Sequence, residues 1–145
     1  MILDKQTRLA SAQALTASGA TTDYLDIGGS RNLGDGEPMA MVFTVTTAAD
    51  YTTADESYTF AIQGDDNTSF STPTVLESRA VSAASGGLAA GKQVVLPIPT
   101  GLSERYLRGY LTLAGTTPSV SVNCDVVPLA SVRKDYTYPG NYTIA

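Results

Sequence analysis

The chain has 145 residues, 43% of them hydrophobic and 16% charged, with nine basic against fourteen acidic side chains for a net charge of −5. That is the size of one ordinary domain, able to bury a core without disulfides or metals, and its scattered Lys and Arg form no cluster suited to displacing counterions from nucleic acid. With no histidine and one cysteine, Cys124, imidazole bases, Ser-His and Cys-His nucleophile pairs, thiolate zinc clusters and an internal disulfide all fall away.

In chain order, MILDKQTR carries Asp4, Lys5 and Arg8 with no apolar run behind them. It does not read as a secretory signal, and no later stretch reaches membrane-spanning length. The expectation is a protein made and kept in a cytosol. Leu9, Ala12 and Leu15 recur at helical spacing, but over too short a segment, so residues 1–10 are read as an N-terminal arm. SAQALT, 11–16, is the weakest strand candidate.

From there the period is two. DYLDI (23–27) is a short strand. GDGEP (34–38) resembles a phosphate loop only superficially: it lacks GK[ST] and precedes a strand, so it is a turn. In MAMVFTVT (39–46), Met39, Met41, Phe43 and Val45 share one face. In SYTFAIQG (57–64), Tyr58, Phe60 and Ile62 do the same.

The polar island GDDNTSF follows. A calcium hand needs oxygens at loop positions 1, 3 and 5, glycine at 6 and glutamate at 12. Counting from Asp65 puts Phe70 at 6 and Leu76 at 12; counting from Asp66 puts Phe70 at 5. Both registers fail. As a catalytic pair, Asp65 and Asp66 would need environments that split their pKa values, which a solvated turn does not supply, even with Asp23, Asp26, Asp55 or Glu56 nearby in space. The stretch is read as a turn with Phe70 tucked inward, and the chain as no enzyme, with no cofactor.

TVLESRAV (74–81), QVVLPI (93–98), RYLRGYLTL (105–113) and VSVNCDVV (120–127) complete the strands. Pro97 and Pro99 place the second of these at an edge or at its end. SAASGGLAAG (82–91) is an exposed loop by composition. Alternation puts Cys124 with Val120, Val122 and Val126 as a buried thiol. The tail RKDYTYPGNYTIA holds Tyr136, Tyr138, Tyr142 and Ile144, either a last edge strand or contact anchors. Tyrosine joins apolar area to a polar tip and is enriched at interfaces, and Arg133 and Lys134 would face an acidic partner.

The pattern specifies an all-β, single-domain jelly roll or β-sandwich of about eight short antiparallel strands with extended termini, residues 1–145, including the 1–10 arm and a 134–145 tail. The stretches MILDKQTRLASAQALTAS, IQGDDNTSFSTPTVLESR and LPIPTGLSERYLRGYLTLAGTTPSVSVNCDVVP, with the aromatic C-terminus, resemble the capsid cement (decoration) proteins of tailed bacteriophages, the small jelly-roll kind of short-tailed phages. That resemblance spans nearly the whole chain. It implies a structural protein on the outer surface of a phage head, made in the host bacterial cytoplasm, tying major capsid protein subunits together as a homodimer, with no metal, nucleic acid or membrane. The candidate interface is Ile2, Leu3, Arg8, Leu9, Arg133, Lys134, Tyr136, Tyr138, Tyr142 and Ile144. The alternative is a soluble β-sandwich module binding carbohydrate or a host-surface or tail component, for which the absence of Trp is unfavourable.

Overall fold

The computed structural model describes residues 5–28 and 36–132. A 3-10 turn at Lys5–Thr7 leads into β1 (Arg8–Leu15), followed by β2 (Gly19–Ala20), β3 (Leu25–Asp26), β4 (Met39–Thr47), β5 (Ser57–Asp65), β6 (Thr74–Val81), β7 (Gln93–Pro97), β8 (Tyr106–Ala114) and β9 (Val120–Pro128). One sheet runs β1-β9-β4-β7. The other runs β2-β8-β5-β6, with β3 also against β8. Every pairing is antiparallel. Since β2 and β3 share one edge position, two layers of four positions face each other in the strand order of a jelly roll.

The alternation read in the sequence is what closes the two layers. Met41, Phe43 and Val45 of β4, and Val120, Val122, Cys124 and Val126 of β9, point into one core with Tyr58, Phe60 and Ile62 of β5 and Leu107, Leu111 and Leu113 of β8. Each such side chain contributes roughly 1.5–3 kcal/mol when removed from water. Phe43 and Phe60 meet edge-on between the sheets, ring centroids 5.2 Å apart. Their fit depends on Gly109, the inward position of β8 between Leu107 and Leu111. A Cβ there would lie 2.9 Å from the Phe43 ring and 2.8 Å from Thr21, so the ring occupies the space a side chain would take. Burial pushes the Cys124 thiol well above its ordinary range.

Three details correct the sequence reading. Leu9, placed in a free arm, is 1% exposed and belongs to the core. Residues 8–10 are the start of β1, because their backbone pairs with β9, so the arm does not extend to residue 10. The 82–91 loop is mostly exposed, as its composition suggested, but it is anchored: Leu88 and Ala83 are in the core. Its backbone is tied to the sheets where the Ala49 amide donates to Leu88 and the Gly91 amide donates to Val45. Finally, β2 had no signal, being two small residues, Gly19 and Ala20. Past β9, residues 129–132 turn helically over the outer face of the first sheet, where Val132 packs on Val42 and Val127. No helix among the described residues is long and apolar enough to cross a membrane.

Candidate interaction surface

The outer face of the second sheet is built by the same alternation that fills the core. With Leu107, Gly109 and Leu111 turned inward, β8 presents Tyr106, Arg108 and Tyr110 outward. Its neighbour β5 sets Gln63 directly opposite Arg108. The Arg108 Nε donates to Gln63 Oε1 at 2.9 Å. Phe70 reaches this face from the β5–β6 connection, where its backbone takes φ 47°, and its ring lies 4.3 Å beneath the Arg108 guanidinium, with Tyr110 at 5.7 Å on another side. Tyr24, 45% exposed, extends the patch. Its ring is edge-on to Tyr106 at 5.5 Å and tilted to Phe70 at 6.0 Å.

Electrostatics set the two arginines apart. Arg105 forks onto Asp26, Nε and Nη2 donating at 2.9 and 3.0 Å. This bond, then one from the Gly28 amide, holds the Asp26 carboxyl below the usual range, and the same pair raises Arg105. Arg108 joins none of the ion pairs found among the described residues. Desolvation lowers its pKa, as expected for a guanidinium half-buried against rings; cation–π contact of this kind contributes about 0.5–2 kcal/mol. The result is a rigid, partly dehydrated cation framed by aromatics, the residue types most enriched where interfaces carry their binding energy.

The polar island read from the sequence supports this frame. Asp65 accepts from the Asn67 and Thr72 amides, 3.0 Å each, one on either oxygen, and Asn67 accepts from the Ser69 amide. Both Asp65 oxygens are therefore engaged in shaping the turn that delivers Phe70. Phe70 is tucked in, 6% exposed, beneath Arg108 on the outer face. Asp66 accepts from the Arg105 amide at 3.1 Å, so Asp66 and Asp26 come together only at Arg105.

The other carboxylates considered, Asp55 and Glu56, sit at the opposite end of the β5–β8 pair. Asp55 clamps the Thr116 turn and accepts from Thr53. These bonds, Thr53 first, lower its pKa. Glu56 Oε1 accepts from the Thr53 hydroxyl. Asp55 and Glu56 are thus engaged with their own turn through Thr53 and Thr116. On the outer face two of the rings are already covered, Phe70 by Arg108 at 4.3 Å and Tyr106 by Arg105 at 5.1 Å.

Of the sequence-read interface residues, Ile2, Leu3, Arg133, Lys134, Tyr136, Tyr138, Tyr142 and Ile144 lie outside the described residues. Leu9 is core, and Arg8 donates to Asp125 at 2.9 Å; both therefore have roles within their own sandwich. The surface patch was missed because its members come from four segments, far apart in sequence. The available signal was the outward period-two trio Tyr106, Arg108, Tyr110, aromatic and cationic on a face that alternation would otherwise leave to small polar residues.

A family model described as Bbp16 matches residues 9–126, which takes in the sandwich from the core residue Leu9 to the core residue Val126. No curated protein matches the chain.

Proposed function

The chain belongs to the phage-associated Bbp16 family, and on that premise we propose that it is a structural virion protein: a capsid cement protein that binds the outside of a tailed-phage head and stabilises contacts between major capsid protein subunits. The observation that carries the proposal is the exposed outer face of the second sheet. There Arg108, Tyr24, Tyr106 and Tyr110 form a preorganised patch, with no carboxylate of the described residues paired to Arg108. Such a patch suits protein docking better than small-molecule chemistry. In this reading the protein acts as a homodimer, catalyses nothing and uses no cofactor. The terminal residues Ile2, Leu3, Arg133, Lys134, Tyr136, Tyr138, Tyr142 and Ile144 add contacts beyond the sandwich.

The test is reconstitution. Heads assembled without this chain are incubated with the purified protein, imaged, and heated. Ordered density on the outer surface and a raised disruption temperature are expected, both weakened by Arg108→Ala. Failure to bind any head surface, with the folded protein in excess, overturns the proposal.

A further inference from the structure

Among the described residues β6 is the outermost strand of the second sheet, paired with β5 on one side only. It is also the long open edge among the described residues. β7 is five residues and ends at Pro97; β1 is broken by two register shifts; β2 and β3 have two residues each. An open edge of eight residues is a template for another strand unless something blocks it. β6 carries one blocking device, a register shift between Val75 and Glu77. The run from Glu77 to Val81 is regular and holds no proline.

The charges on this edge are complementary. Glu77 pairs with Ile62 and Arg79 with Phe60. Ile62 and Phe60 point inward, so Glu77 and Arg79 lie on the same face of the sheet, at its rim. Both are exposed, and neither joins an ion pair of its own chain among the described residues. Two like charges here would repel any second strand. Two opposite charges, two residues apart, can instead satisfy each other between two antiparallel copies.

We propose that β6 pairs antiparallel with β6 of a second copy about a two-fold axis midway between the two Ser78 residues, joining the two second sheets into one. Directly opposed residues share a face in an antiparallel pair, so the axis must pass midway between the two copies of one residue. Centring on Glu77 opposes two glutamates; centring on Arg79 opposes two arginines; centring on Ala80 leaves Arg79 against Val81. Centring on Ser78 sets Glu77 against Arg79 of the partner copy twice. Charge alone selects that register. The seam rests on the homodimer proposed above, but not on what the dimer binds.

The test uses the full chain. Glu77→Arg and Arg79→Glu each create two like-charge pairs across the seam, and each should weaken the dimer by roughly tenfold or more in sedimentation. Mixed together, the two variants have complementary edges and should recover dimer as a one-to-one heterodimer by native mass spectrometry. This recovery also shows that both are folded. Ser78→Cys places two thiols opposite each other, where cross-strand Cα separation of about 4.5–5.5 Å suits a disulfide, and mild oxidation should give a covalent dimer. The one native cysteine, Cys124, is fully buried. A wild-type dimer that ignores both charge variants, together with a Ser78→Cys chain that stays uncrosslinked, overturns the seam while leaving the homodimer intact. A wild-type chain that is monomeric at high micromolar concentration and remains so on heads removes the homodimer, and the seam with it. Head binding by such a monomer would leave the cement reading standing.

Discussion

Arg8 and Asp125 are direct cross-strand partners in the β1–β9 ladder, and the Arg8 guanidinium donates to the Asp125 carboxylate at 2.9 Å. The Asp125 side chain is 3% exposed against 32% for Arg8, so the cation acts as a lid on a carboxylate taken out of water. Removing Arg8 would leave that carboxylate buried without its partner. Arg8→Ala is therefore expected to cost about 1–3 kcal/mol, below the roughly 3–5 kcal/mol for breaking a fully buried pair, because one member is a third exposed. Urea unfolding measures it; Lys5→Ala, at an exposed position nearby, should change stability little.

Gly109 gives a second stability prediction. A methyl group at that position meets the Phe43 ring and Thr21 under 3.0 Å, and the ring is held from the far side by Phe60. Gly109→Ala should destabilise by about 1–3 kcal/mol through overpacking. Pairing it with Phe43→Leu should recover part of that loss, and the double-mutant cycle reads the coupling.

Acid stability has a definite sign. Asp26 and Asp55 both have folded-state pKa values held below the usual carboxylate value, by Arg105 and by Thr53 respectively. Depressed carboxylates contribute stability that is fully present above the unfolded value, about 4, and that is lost as pH falls through the lower folded value. Melting temperature should hold from neutral pH to about 4 and fall below it. Asp26→Asn and Asp55→Asn should each make that fall shallower; an unchanged acid limb in both would contradict the assignment.

Chelation should leave the melting temperature unchanged. Asp65 commits both oxygens to backbone amides, and no group of three or more metal-ligating side chains gathers among the described residues. A fall on adding chelator that calcium reverses would contradict this.

Deleting residues 136–145 should leave the sandwich folded, since the strands that close its core run from Arg8 to Pro128. The same deletion should weaken head binding. Circular dichroism and head sedimentation separate the two effects, and unfolding on deletion would make the tail a structural element of the sandwich.

The strands were legible because alternation and burial coincide: Met41, Phe43 and Val45, or Tyr58, Phe60 and Ile62, point inward as their spacing requires. What was not legible is long-range. Leu9 looks like a stray apolar group near a chain end until β9 pairs beside it. Leu88 sits among glycines and alanines, and only the folding of that segment against Val45 and Ala49 buries it. The surface patch needs Tyr24, Gln63, Phe70 and Arg108 at once, and no local period encodes a meeting of that kind. Its nearest local trace was the trio on β8.

The pairing of β1 with β9 also sets an order of events in time. Among the described residues β1 pairs with no strand but β9, and β9 is the strand that joins it to β4. A growing chain that has emerged only as far as β8 holds Leu9, Met41 and Phe43 without the Val122 and Cys124 strand that should lie between them. Loop closure over more than a hundred residues must precede that contact, and folds dominated by such distant pairings assemble slowly. The first sheet is thus completed only after β9 leaves the ribosome, and until then its central gap stays open to other chains.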